Sequence, residues 1–124
     1  LSIKNEDKGA MFLEAVTCLL EMGFTLTATR GTATFLAKSG IKSVLVNKVY
    51  EGRPNIVDQI KDGDITLIFN TTAGAQAVED SRSMRASALM DKIPYFTTLA
   101  ASHAAAFAIK ANAEGDVGVK ALQG

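Results

Sequence analysis

Apolar residues recur at three- and four-residue spacing from about residue 8 to 22, at Phe12, Ala15, Val16, Leu19 and Leu20. That period lines one face of a helix, and Gly23 ends it. Ahead of it "LSIK" reads as the end of a strand and "NEDKG" as a polar turn. After it, strand and helix patterns alternate. "FTLTAT" is strand-like and residues 31–39 are helical up to Gly40; "SVLVN", 43–47, is a strand, and 55–63 a short helix after Pro54. "ITLIFNT", 65–71, is nearly continuous in apolar and β-branched residues, as in a strand covered on both faces. A helix over 79–91, opened by Glu79 and Asp80, leads to a short strand at 95–98, after Pro94, and an alanine-rich helix at 100–113. The tail "EGDVGVKALQG" reads as a short strand or a frayed end.

Strands alternating with helices specify an α/β domain, a three-layer α/β/α arrangement with a parallel sheet of about five strands. In such sheets a ligand sits beyond the carboxyl ends of the strands. The turns there carry Lys8; Thr29, Gly31 and Thr32; Asn47 and Lys48; Asn70, Thr71, Thr72 and Gly74; Thr97 and Thr98. Two lysines, several hydroxyls and helix starts supply what a phosphomonoester requires: cations, neutral donors and free N–H groups. The same threonines also suit plain helix capping, and the local sequence leaves both readings open. Asp80, in the first turn of its helix, reads as a dipole partner or as an acceptor for ribose hydroxyls.

The 124 residues are the length of one domain, 1–124, able to bury a core without disulfides or metals. Thirteen basic residues balance thirteen acidic ones, so no global field gathers nucleic acid or an acidic membrane, and neither is expected as a partner. A charged ligand therefore needs a local site. The single cysteine, Cys18, sits in an apolar run and reads as a buried core residue in a reducing cytoplasm. His103 lies in a helix with no carboxylate near it along the chain, and no spacing of Cys, His and acids suggests a metal site. No cofactor is expected, and no set of residues proposes itself as catalytic. The start at Leu1, without methionine and directly in strand-like sequence, suggests a piece of something longer.

The stretches "ATRGTATFL", "LVNKVYEGRPNIVDQIKDG", "IFNTTAG", "VEDSRSMRASAL" and "YFTTL" together resemble the C-terminal allosteric domain of the bacterial-type carbamoyl phosphate synthetase large chain. The resemblance implies a methylglyoxal-synthase-like, Rossmann-like fold and a regulatory rather than catalytic role. It implies UMP as inhibitor or IMP as activator, with Lys8, Thr29, Gly31, Thr32 and Lys48 around the phosphate. Asn70, Thr71, Thr72 and Asp80 would then face ribose and base, and Thr97 would contribute to an ornithine site at an interface. The partners implied are the rest of the large chain and the small glutaminase subunit, in an ATP-dependent ligase making carbamoyl phosphate from bicarbonate and glutamine-derived ammonia for arginine and pyrimidine synthesis. The alternative on the same fold is a methylglyoxal synthase, which needs an aspartate base in the loop after the third strand. This chain has "EGRPN" there, with Arg53 at that place, and a permanently protonated guanidinium cannot take a proton.

Overall fold

The computed structural model describes the backbone of residues 1–48, 51–71 and 75–123; the side chains of 75–78, 80 and 114–123 lie outside the described residues. Among the described residues there are five α-helices, α1 (Ala10–Glu21), α2 (Arg30–Lys38), α3 (Ile56–Lys61), α4 (Ala75–Met90) and α5 (Leu99–Gln123), and the apolar periodicity is clearest in α1 and α2. Phe12, Ala15, Val16, Cys18 and Leu19 form the buried stripe of α1. Gly23 and Gly40 end α1 and α2 at φ of 89° and 79°, a left-handed conformation that side chains with a Cβ resist. Helix α3 opens on a reciprocal cap in which Asn55 accepts from Val57 N–H and Asp58 N–H while Asp58 accepts from Asn55 N–H. Thr98 caps α5, accepting from Ala101 N–H at 3.1 Å.

Two boundaries differ from the sequence expectation. Helix α4 begins at Ala75 instead of 79, because Ala75, Gln76 and Ala77 are good helix formers and need no acidic first turn. The tail continues α5 to Gln123 instead of forming a strand or fraying.

The strands are short: β1 (Thr27–Ala28), β2 (Val44–Leu45), β3 (Ile68–Phe69) and β4 (Tyr95–Phe96). They form two parallel pairs, β1 with β2 and β3 with β4, not one sheet of about five strands. The residues between the pairs explain the difference. Extended residues 1–4 lie between β1 and β3, joined to β3's end only by the bridge Ser2–Asn70, and send successive N–H groups to alternate sides. Leu1 N–H donates to Thr27 O (2.7 Å) and Ser2 N–H to Phe69 O (2.9 Å). Beyond them the backbone ladder stops, and side chains take over. Ile3 N–H donates to Thr32 Oγ1 and Lys4 N–H to Thr71 Oγ1, both at 2.9 Å.

Consecutive strand residues feed opposite faces. Phe69 enters a core with Phe12, Val16, Leu19 and Leu36 from α1 and α2 and Ala106 from α5; Ile68 enters a second core with Ile56 and Ile60 of α3 and Met84 and Ala88 of α4. Helices thus cover both sides of the strands, α1 packing on α5 and α3 on α4. Cys18 is buried in the first core, its Sγ 3.3 Å from Ala106 O. His103, which sequence places far from any acid, meets Glu14 of α1 at 3.2 Å across the α1–α5 contact.

Replacing Thr32 by Val keeps the shape but leaves the buried Ile3 N–H without its acceptor. Stability should fall by about 1–3 kcal/mol, seen as a lower urea midpoint, while Thr25→Val at an exposed position should leave the midpoint in place. Equal midpoints for both variants would show that the Thr32 hydroxyl does not hold the central segment.

Candidate anion-binding rim

All four strands and the segment 1–4 run parallel, so their carboxyl ends share one rim. There the first turn of α2 meets the turns after residues 4 and 47. Thr29 is the N-cap residue of α2, in extended conformation, yet its side chain makes no capping hydrogen bond. Its buried hydroxyl instead approaches Ser2 Oγ at 3.4 Å, a long and weak contact. The N–H groups of the first turn of α2 therefore have no side-chain cap, and the helix presents them with its partial positive charge.

One cation rests against that turn, and a second stands on the loop after β2. Lys8 follows a 3-10 turn at Asn5–Asp7, and its ammonium donates to Asn5 Oδ1 at 2.6 Å. A Cβ at Gly31 would lie 3.2 Å from Lys8 Nζ, so it is the missing side chain at Gly31 that lets the ammonium rest against α2. Burial first, and the positive charge of Lys48 second, lower the Lys8 pKa, with Glu6 opposing them. A lysine destabilised by a neighbouring cation is relieved by an anion between the two. Lys48 is bound to Glu51 twice, its N–H donating to Glu51 Oε1 at 2.7 Å and its carbonyl accepting from Glu51 N–H at 3.0 Å.

Not every threonine of the rim faces outward. The hydroxyls of Thr32 and Thr71 are turned to the backbone of Ile3 and Lys4, so what Thr32 presents to the rim is its main-chain N–H in the first turn of α2. Asn70 is buried, and its Nδ2 donates to Ser81 Oγ (2.8 Å) and Tyr95 Oη (2.6 Å), which leaves Oδ1 as its accepting atom. Thr97 is exposed between β4 and α5. Thr72 lies outside the described residues, as does the side chain of Asp80, whose backbone is in α4. Among the described residues no group of three or more His, Cys, Asp or Glu could hold a metal ion.

Sequence reading passed over four participants: Ser2, Ser81, Tyr95 and Arg30. Arg30 opens α2 with its Nε 3.9 Å from Glu51 Oε2; Arg85 lies 5.4 Å over the Tyr95 ring, holding the tyrosine that Asn70 meets. Their signal is position alone, at strand ends or facing them. In the loop after β2, Arg53 is bound to Asp58 through two contacts of 2.6 and 3.2 Å, and that guanidinium holds the Asp58 carboxyl below its ordinary range. Asp58, in the first turn of α3, is thus tied to Arg53 and to its own cap, and Glu51 is tied to Lys48 N–H.

The lowered Lys8 pKa sets a test with a definite sign. The folded state holds this proton less tightly than the unfolded one, so the associated stability is present above the unfolded pKa and lost as pH falls through the folded value. Lys48→Met should move the Lys8 titration, followed by NMR at its side-chain carbon next to the ammonium, upward toward the ordinary lysine value. A Lys8 titration indifferent to Lys48→Met would mean that the two charges do not share a site.

The MGS-like domain family model matches residues 11–97. Over 123 residues the chain is 46% identical to the carbamoyl phosphate synthase large chain of Rhizobium meliloti (strain 1021), a match covering 99% of this chain and 10% of that protein. Identity is the same over 123 residues with the namesake protein of Myxococcus xanthus (strain DK1622), of which 11% is covered. The large chain of Vibrio vulnificus (strain CMCP6) is 45% identical over 117 residues, or 94% of this chain and 11% of that protein. This chain thus spans about a tenth of the length of the curated relatives it matches. With the family model running from the first turn of α1 to just past β4, the chain belongs to the MGS-like domain family.

Proposed function

We propose that this chain is a regulatory domain that binds a nucleoside monophosphate, UMP or IMP, as part of a carbamoyl phosphate synthetase large chain. The observation that carries the reading is the Lys8 ammonium resting against the uncapped first turn of α2 at Gly31, with the backbone of Lys48 linked to the same helix start through Glu51 and Arg30. A phosphate dianion there receives two ammonium groups and the N–H groups of Arg30, Gly31 and Thr32, with the Thr29 hydroxyl at its side. Charge-assisted hydrogen bonds of this kind contribute roughly 1.5–3 kcal/mol each before ordering and desolvation are subtracted. Asn70 Oδ1 faces the ribose and base together with Thr71, Thr72 and Asp80, and Thr97 lies toward an ornithine site shared with a neighbouring part of the large chain. The domain requires no cofactor of its own. Its effect on the parent ligase arises by coupling: an effector favouring one state of the whole enzyme by about 1–3 kcal/mol shifts its substrate affinity roughly 5- to 150-fold.

Calorimetric titration with UMP and IMP, with uridine as the control lacking phosphate, tests the reading. Saturable binding of a nucleotide that is lost with uridine supports it, and Lys48→Ala should weaken that binding by roughly tenfold or more at unchanged thermal stability. Thr29→Ala should weaken it less, because its hydroxyl is one neutral donor. Absence of binding by both nucleotides, or full affinity in the Lys48 and Lys8 alanine variants, would overturn it.

A further inference from the structure

Two lysines repelling each other do not converge unless something fixes the segments they stand on. Lys8 is fixed by Asn5, on its own turn. Lys48 is fixed by Glu51. Backbone N–H of Glu51 reaches Lys48 O at 3.0 Å, and Glu51 Oε1 receives Lys48 N–H at 2.7 Å, so the two residues bind each other in both directions. The second carboxylate oxygen, Oε2, lies 3.9 Å from Nε of Arg30, the first residue of α2. One side chain thus joins the turn that bears Lys48 to the helix start on which the anion would rest. Gly52, at φ 111°, lets the chain leave this turn in a direction that a residue with a Cβ resists.

Glu51 is an unexpected residue at an anion site, since its charge repels the ligand. Its geometry resolves the conflict: the carboxylate is spent on Lys48 N–H and on Arg30. We infer that Glu51 is a positioning residue for anion binding, a clasp that ties the backbone of Lys48 to the start of α2. This rests on the phosphate-binding reading above and adds to it a residue that touches no ligand. It also separates two effects of one side chain. The acceptor oxygen builds the site, whereas the negative charge opposes occupancy.

Glu51→Gln and Glu51→Ala separate them, because both remove the charge and only Gln retains an acceptor for Lys48 N–H. Titrating the 124-residue wild type and both variants with UMP, the Gln variant should bind at least as tightly as the wild type, and the Ala variant about threefold to tenfold more weakly than the Gln variant. An amide NMR spectrum without ligand gives the independent check: the Lys48 N–H resonance should keep its hydrogen-bonded position with Gln and shift with Ala. Equal affinity of the two variants would overturn the clasp even where the wild type binds well. Wild-type protein that does not bind UMP would instead bring down the phosphate reading, and the clasp with it.

Discussion

The fold depends on how residues 1–4 satisfy their backbone between two strand pairs. An extended segment buried between neighbours must find an acceptor for every N–H, since an unpaired one costs as much as a lost hydrogen bond. Thr27 O and Phe69 O serve the first two N–H groups. The next two reach past the ends of the neighbouring strands, where the chain has already turned toward α2 and α4. Threonine hydroxyls at positions 32 and 71 stand in for the absent carbonyls. Without them the segment joining the pairs would lose its last anchors on both sides at once.

That arrangement also decides what the rim can offer a ligand. Thr32 and Thr71 are committed inward, Asn70 is committed through its amide nitrogen to Ser81 and Tyr95, and the loop carboxylates are committed to cations and backbone. Left facing outward are the lysines and the helix N–H groups. A surface of fixed donors beside the Lys8 ammonium is suited to holding an anion, because the donors are already oriented before it arrives.

Much of the helical pattern was legible in the sequence. The three- and four-residue spacing of Phe12, Ala15, Val16 and Leu19 reports one buried face, and Gly23 and Gly40 mark ends through a conformation favoured by glycine. Strand positions were legible as well, but not their extent, since ladder membership depends on neighbours distant in the chain. Residues 65–71 read as one long strand, and only Ile68 and Phe69 pair as one. Lys8, Thr29 and Lys48 could be placed on one rim by topology alone. The inward turn of the Thr32 hydroxyl could not, because its partner is 29 residues away. Nor could the part taken by Glu51, whose carboxylate shows its use only when the turn is folded.

The proposed anion site lies on the carboxyl rim of the strands, at the start of α2. Amide chemical-shift mapping during addition of UMP tests it most directly, because the reporters are the N–H groups themselves. The largest changes should fall on Arg30, Gly31 and Thr32, with Lys8 and Lys48 beside them, while Thr25 and Thr66 at the opposite ends of the strands stay in place. Changes centred on those opposite ends, or none along the first turn of α2 at saturating nucleotide, would contradict it.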